Sequence, residues 1–268
     1  MPPAVQAAIL GVVQGVTEFL PVSSTAHLLV VGRLLGFSDP GGTFTVMIQL
    51  GSIFAIMWVY RAKILEVVVG LPSSPQARRF ALMLFVALLP AVVAGAAFSR
   101  FITEVLYTAL VVNAVTFIAG GVVILLVERY QPRVTVSEVD ATPIGKAFGI
   151  GCCQALAIVP GTSRSGATIV GGMLLGLDRA VATEFSFFLA MPTLAAAFVN
   201  SLWKVRHEIT SARTTNIAIG LVMAFISSAL VVKPFLNYVR RSGFQPFAWY
   251  RIVFGVVLLA ALAAGWGR

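Results

Sequence analysis

Residues able to do phosphoryl chemistry fall in two short stretches of an otherwise apolar chain. In the first, Gln14 and Glu18 stand one helical turn apart, followed by Ser23, Ser24, Thr25 and His27. In the second, Pro160-Gly-Thr-Ser-Arg-Ser-Gly-Ala-Thr168 collects glycines, hydroxyls and one guanidinium. A charged side chain inside an apolar segment costs about 2.5 to 3.5 kcal/mol on insertion scales, so Glu18 is a functional candidate, with a helix-to-helix hydrogen bond as the bland alternative. Ser24 and His27 lie one turn apart. Serine needs a base to become a nucleophile, and histidine is the side chain best suited to supply one near neutral pH. On the competing reading, Ser23, Ser24 and Thr25 merely cap a helix and His27 packs against a neighbour. In the second stretch Gly161, Thr162, Ser163, Ser165 and Thr168 surround a helix N-terminus, where N–H groups and the helix dipole favour an anion. Arg164 adds a planar fork suited to phosphate, though some of the hydroxyls must only cap.

The elements that position these residues are membrane helices. The chain of 268 residues is 59% hydrophobic and 11% charged, with mean hydropathy +0.95, against roughly one-quarter charged in soluble domains. Six apolar runs, 43–60, 80–98, 108–128, 183–203, 216–235 and 248–266, have the about 18 to 22 residues that cross about 30 Å of hydrocarbon. No basic residue precedes the first apolar stretch, so a cleaved signal peptide is not expected. The net charge of +9 is dispersed through short loops, which speaks against nucleic acid and for a positive-inside bias. Cys152 and Cys153 are adjacent in an apolar segment, where they read as helix-packing residues rather than a disulfide or metal site.

The chain also echoes itself. Gly11-Val-Val-Gln14 returns as Gly151-Cys-Cys-Gln154 at an offset of 140, and Pro21 with Ser24 pairs with Pro160 and Ser163 at 139. The expected fold is therefore an all-α membrane bundle of six full spans and two re-entrant broken-helix hairpins, built from two inverted-topology repeats in one domain over 1–268. Repeat one covers about 4–128 and repeat two about 144–267. The first hairpin is read as a helix from Ala4 to Leu20, stopped by Pro21, then a short helix to about Leu35. The second is read as Lys146 to Val159, the break Pro160 to Gly166, and a short helix to about Leu177. Three spans per half invert the second half, so the hairpins enter from opposite faces and their tips meet. Loops 61–79, 129–146, 178–182 and 233–247 then share one side with eleven Lys or Arg against six on the other, which makes that side cytoplasmic and both termini external.

Here the residues resemble a known family, the bacterial undecaprenyl-diphosphate phosphatases associated with bacitracin resistance. Two motifs carry the resemblance over nearly the full length. One is Glu-or-Gln, three residues, then Glu, present as Gln14 to Glu18 in the run Gly11 to Thr25; the other is Pro-Gly-x-Ser-Arg-Ser-x-x-Thr, present as Pro160 to Thr168. The family's histidine falls on His27 and its proposed nucleophilic serine on Ser24. The resemblance implies hydrolysis of undecaprenyl diphosphate to the monophosphate and phosphate, recycling the lipid carrier of peptidoglycan synthesis, at the outer face of the cytoplasmic (inner) membrane. It also implies support by Mg2+ or Ca2+. Gln14 stands where many members carry glutamate, so the metal is expected to ride largely on the substrate diphosphate, with Glu18 as its protein ligand.

Within this reading Glu18, Ser24, His27 and Arg164 are the catalytic candidates. Gln14, Ser23, Thr25, Gly161, Thr162, Ser163, Ser165 and Thr168 are the phosphate-binding ones. Attack by Ser24, with His27 and Glu18 handling the proton, and direct attack by water both stay open. A carrier that flips a lipid phosphate on the same inverted-repeat architecture is the rival class. The expected partners are a polyprenyl diphosphate and membrane lipids, not nucleic acid, and a homodimer is compatible. Gln49 and Ser52 are candidate pocket liners. Glu184 reads as structural, Asp178 as a helix cap, and His207 as a solvated loop residue.

Overall fold

The protein is seen in a computed structural model that describes residues 1–39, 42–101, 110–130, 132–205 and 211–266, so His207 lies outside the described residues. Eleven helices make up the described fold: α1 (Pro3–Thr17), α2 (Ser24–Leu35), α3 (Thr43–Val59), α4 (Arg61–Gly70), α5 (Pro75–Phe101), α6 (Leu110–Tyr130), α7 (Ile144–Ala155), α8 (Arg164–Leu174), α9 (Arg179–Val205), α10 (Ser211–Ser242) and α11 (Gln245–Ala263). Five of them, α5, α6, α9, α10 and α11, are long and apolar enough to cross a membrane. A sixth candidate needs α3 and α4 together, which bend by 76° at Tyr60. The bend has a chemical cause. Arg61, Lys63 and Glu66 end the apolar run, and Arg61 turns back to donate to Trp58 O at 2.8 Å with its guanidinium 4.6 Å from the indole centroid.

Two helical hairpins interrupt this set. Gln6 Nε2 donates to Leu35 O at 2.7 Å and closes α1 against α2. In the second, the start of α7 lies by the end of α8, where Gly149 faces Leu175. The breaks are longer than proline placement suggests. Helix α1 ends at Thr17 rather than running to Leu20, so Pro21 sits within the turn and does not stop the helix. Helix α7 ends at Ala155 and passes through a 3-10 turn, Leu156–Ile158, before the chain extends at Val159.

Each hairpin's first helix packs closely on a long span. A side chain at Gly15 would overlap the Ser227 hydroxyl and Ala224 O on α10, and one at Gly151 would overlap Ala87 O on α5. Helix α3 also lies on α10, α8 on α9, and α6 along α11. Cys153 fits against Gly171 of α8, in keeping with its packing role, while Cys152 faces outward. Phe19, Phe185, Phe187, Phe188, Phe235 and Phe244 form the centre of the larger apolar core.

The basic loops gather at one end. Lys63 pairs with Asp140 at 2.6 Å, Arg79 reaches the carbonyls of Asp140, Ala141 and Thr142, and Asp178 N donates to Val136 O. Buried Glu128 takes two bonds from Arg179 and one from Phe244 N, which ties α6, α9 and the α10–α11 turn together. Asp178 caps α9 by accepting from Ala180 N. Glu184 lines a cleft at this end with Asp140, Asp178 and Arg240, away from the two breaks, which fits a structural role. At the opposite end Asp39 caps α3, and Arg33 stacks over Trp266.

Candidate active site

The two breaks share an unusual backbone. Ser23 (φ 64°) and Ser163 (φ 71°) are the non-glycine residues with positive φ among the described residues. Such conformations cost about 1 to 3 kcal/mol and persist only where the surroundings fix them, most often at functional sites. Each strained serine turns the chain so that the next residue opens a helix: Ser24 begins α2 and Arg164 begins α8. The residue that shares the backbone conformation of Ser163 is thus Ser23, 140 positions earlier, rather than Ser24. The tips touch. Ser165 Oγ donates to Leu20 O at 2.7 Å, and a Cβ built on Gly166 lies 3.6 Å from Pro21 Cβ.

Glu18, just past the end of α1, is the hub of this junction. Its Oε1 accepts from Arg164 Nη2 at 2.8 Å, and its Oε2 accepts from Gln14 Nε2 at 2.9 Å and from Ser24 Oγ at 2.6 Å. Both members of the ion pair are well covered, with side chains 5% and 12% exposed. Arg164 also donates from Nη1 to Ser186 O at 3.2 Å, while its Nε is buried without a hydrogen-bond partner among the described residues. So Arg164 holds a donor in reserve. The N-termini of α2 and α8 both face this junction, and each carries about half a positive charge.

His27 is placed differently from what its spacing suggests. Its Nδ1 lies 2.8 Å from Ser23 O, so that nitrogen carries a proton, and its Nε2 meets the Tyr250 hydroxyl at 2.5 Å. The ring packs against both Tyr250 and Phe254, and Ser24 donates to Glu18 instead. In this arrangement the base in contact with Ser24 is the carboxylate.

A cleft of about 160 Å3 opens at the junction. Glu18, Ser23, Ser24, Thr25 and Gln49 line one wall; Pro160, Gly161, Ser163 and Arg164 line the other, with Ala157, Ile158 and Leu194 as apolar rim. The remaining candidates are spent within the fold. Ser165 joins the tips, Thr168 bonds the Ser186 hydroxyl at 2.7 Å, Ser52 pairs with Ser228, and Thr162, whose N closes a turn onto Val159 O, does not line the cleft. Two residues that spacing did not single out converge on the breaks from α11: Tyr250, on His27, and Arg251, 1% exposed, on main-chain carbonyls. The signal for Arg251 was present in its position inside an apolar run.

Among the described residues, no three of His, Cys, Asp or Glu gather into a metal-ligating group. The cleft is lined by the Glu18 carboxylate; Gln14, bonded to that carboxylate but fully buried and outside the lining, keeps an Oε1 without a hydrogen-bond partner among the described residues. This donor set fits a hard, mostly hydrated cation shared with phosphate oxygens better than a protein cage.

Comparison with known proteins agrees with the geometry. Residues 7–257 match the family described as bacitracin resistance protein BacA. An undecaprenyl-diphosphatase of Paracoccus denitrificans is 50% identical over 260 residues, covering 97% of each chain. Undecaprenyl-diphosphatase 1 of Agrobacterium fabrum is 49% identical over 258 residues, 96% of each, and an undecaprenyl-diphosphatase of Pseudomonas fluorescens is 47% identical over 264 residues, 98% of this chain and 95% of the relative. With that match across nearly its whole length, the chain belongs to the bacitracin resistance protein BacA family.

Proposed function

We propose that this multi-pass membrane protein hydrolyses undecaprenyl diphosphate to undecaprenyl phosphate and inorganic phosphate, returning the carrier lipid for cell-wall synthesis. The observation that carries the chemistry is the chain of contacts from Ser24 Oγ to Glu18 to Arg164 in one cleft between two helix N-termini. A carrier would need the cation and the N–H groups; a hydroxyl held on a carboxylate is what phosphoryl transfer needs.

The diphosphate enters between the breaks, and the terminal phosphoryl group takes over the Arg164 fork from Glu18, drawing on the reserve Nε–H as well. Ser24 Oγ attacks the terminal phosphorus as Glu18 takes its proton; the bond to the bridging oxygen breaks, Glu18 returns the proton to that oxygen, and undecaprenyl phosphate leaves. Glu18 then takes a proton from water attacking the phosphoserine and delivers it to Ser24 Oγ, releasing phosphate. Ser23, Thr25, Gly161 and Ser163 contact phosphate oxygens, and His27, held by Tyr250, fixes the Ser23 main chain. A bound Mg2+ or Ca2+, held by the diphosphate with Glu18 and Gln14 Oε1, would neutralise phosphate charge. The cleft accommodates the head group, so the prenyl chain runs outward past the Ile158 and Leu194 rim.

The architecture is read as two inverted-topology repeats, about 4–128 and 144–267, with α1–α2 and α7–α8 as re-entrant hairpins. Three features support it: the paired strained serines, the glycines Gly36 and Gly176 with positive φ at matching hairpin ends, and the way each hairpin's first helix leans on a span of the other half. By the positive-inside rule the basic end is cytoplasmic, which puts both termini and the mouth of the first hairpin on the outer face.

The test is phosphate release from undecaprenyl diphosphate by purified protein in detergent, followed by acid quench and mass analysis of the Ser24 peptide. A phosphorylated Ser24 supports the covalent route. Lipid scrambling without phosphate release would replace the enzyme with a carrier, and full turnover by Ser24→Ala would replace serine attack with direct attack by water.

A further inference from the structure

Arg251 lies in the second turn of α11, 1% exposed, and no carboxylate answers it among the described residues. Four of its five N–H groups go instead to main-chain oxygens: Nη1 donates to Pro21 O at 2.9 Å, Nη2 to Gly161 O and Thr116 O at 3.0 Å each, and Nε to Phe117 O at 3.3 Å. Pro21 and Gly161 belong to different breaks and stand 140 residues apart, two positions before the strained serines Ser23 and Ser163. One planar group therefore grips both broken strands at once. The pocket for it is built into α6. Phe117 lies under the guanidinium at 4.9 Å, and Gly120 leaves the space the guanidinium occupies, since a Cβ there would overlap Nη2 and come within 2.8 Å of Cζ. Thr116 reinforces the grip with a bond from Oγ1 to Pro160 O at 2.7 Å.

We propose that Arg251 is a positioning residue: it clamps the two breaks at the one spacing at which Glu18 and Arg164 share the cleft, without touching substrate. A guanidinium suits this because its donors lie in a rigid plane and its charge persists when buried. Lysine would keep the charge but could not present the same fork to carbonyls of two strands.

Its consequence for turnover rests on the phosphatase reading, so the test pairs activity with a readout that does not. In a Cys152→Ala, Cys153→Ala background, Pro21→Cys with Gly166→Cys places sulfurs on Cβ positions 3.6 Å apart, inside the disulfide window of about 3.5 to 4.5 Å. The rate of disulfide formation then reports tip spacing. Arg251→Met and Arg251→Lys are expected to slow it by about five-fold or more, to cut kcat by about ten-fold or more with KM within two-fold, and to regain much of that kcat once the disulfide is formed. Gly120→Ala, which crowds the guanidinium without removing it, should slow it in part, and together with Arg251→Lys it decides the matter if Arg251→Met does not fold. Unchanged disulfide formation in these variants, or kcat lost and not regained on oxidation, overturns the clamp. If even the unaltered chain releases no phosphate, the phosphatase reading fails while the spacing measurement still judges the clamp.

Discussion

Replacing Glu18 by glutamine isolates what its charge does, because shape and reach are kept. Three donors now converge on the carboxylate, from Arg164, Gln14 and Ser24, and the ion pair is nearly covered. Glu18→Gln leaves Arg164 without its counter-ion in a covered site, an arrangement that typically costs about 3 to 5 kcal/mol when one partner of a buried pair is removed. Since Arg164 keeps its bond to Ser186 O and some access to the cleft, the lower end, about 3 kcal/mol, is expected. It also removes the base in contact with Ser24, a loss of roughly 100- to 10,000-fold in rate. The two effects part in a phosphate-release assay run alongside thermal unfolding in detergent. Without substrate, Glu18→Gln should melt earlier; with a non-hydrolysable diphosphate present, much of the loss should return, because the phosphate supplies the anion Arg164 lacks. kcat should fall at least about 100-fold throughout. A variant that turns over within ten-fold of the unaltered protein would refute Glu18 as the base.

Three further outcomes follow from single contacts. Tyr250→Phe removes the hydroxyl from His27 Nε2 while keeping the ring stack, and turnover should fall roughly three- to ten-fold, the worth of one hydrogen bond, with KM within two-fold in steady-state kinetics. Gln14→Glu sets a second carboxylate against Glu18, so the Mg2+ concentration giving half-maximal activity should drop several-fold in a metal titration, with less activity than the unaltered chain when Mg2+ is scarce. Glu128→Gln breaks the lock with Arg179 far from the cleft; it should cost about 3 kcal/mol, roughly 6–12 °C in Tm, and leave kcat unchanged.

Much of the fold was legible because hydrocarbon enforces simple rules. A span must be long and apolar, so five of the six expected spans coincide with helices long enough to cross, while 43–60 falls on α3 and reaches that length only with α4 beyond the bend; loops rich in Lys and Arg gather at one end. The breaks were visible as proline, glycine and hydroxyls where a membrane tolerates no irregular backbone without a reason. Their internal register was not. Which serine takes positive φ depends on contacts made across the tips, such as Ser165 to Leu20 O, and nothing in the local sequence distinguishes Ser23 from Ser24. The same limit applies to His27. Three residues along a helix place it on roughly the right face, yet an aromatic wall more than 200 residues away, Tyr250 and Phe254, turns the ring off Ser24. Thr168 and Ser165 read as phosphate donors by type, and only the packed structure reveals that backbone and Ser186 already claim them.

The site contains two deeply set arginines, and the way each is answered separates their work. Arg164 faces a carboxylate that a phosphate can replace at little net change in local charge, so its partner is exchangeable, and its unpartnered Nε–H gives the incoming anion something the carboxylate does not use. Arg251 faces carbonyls that belong to the backbone and cannot be exchanged for an anion without opening both breaks. On the proposed reading, an exchangeable ion pair set beside a fixed clamp would let the binding group turn to substrate while the breaks that carry Ser24 and Arg164 stay put. The order of the two along the chain follows from this. The exchangeable arginine must open a half-helix, where the N–H groups also meet the anion. The fixed one must sit on a full span, α11, whose packing along α6 does not depend on what occupies the cleft.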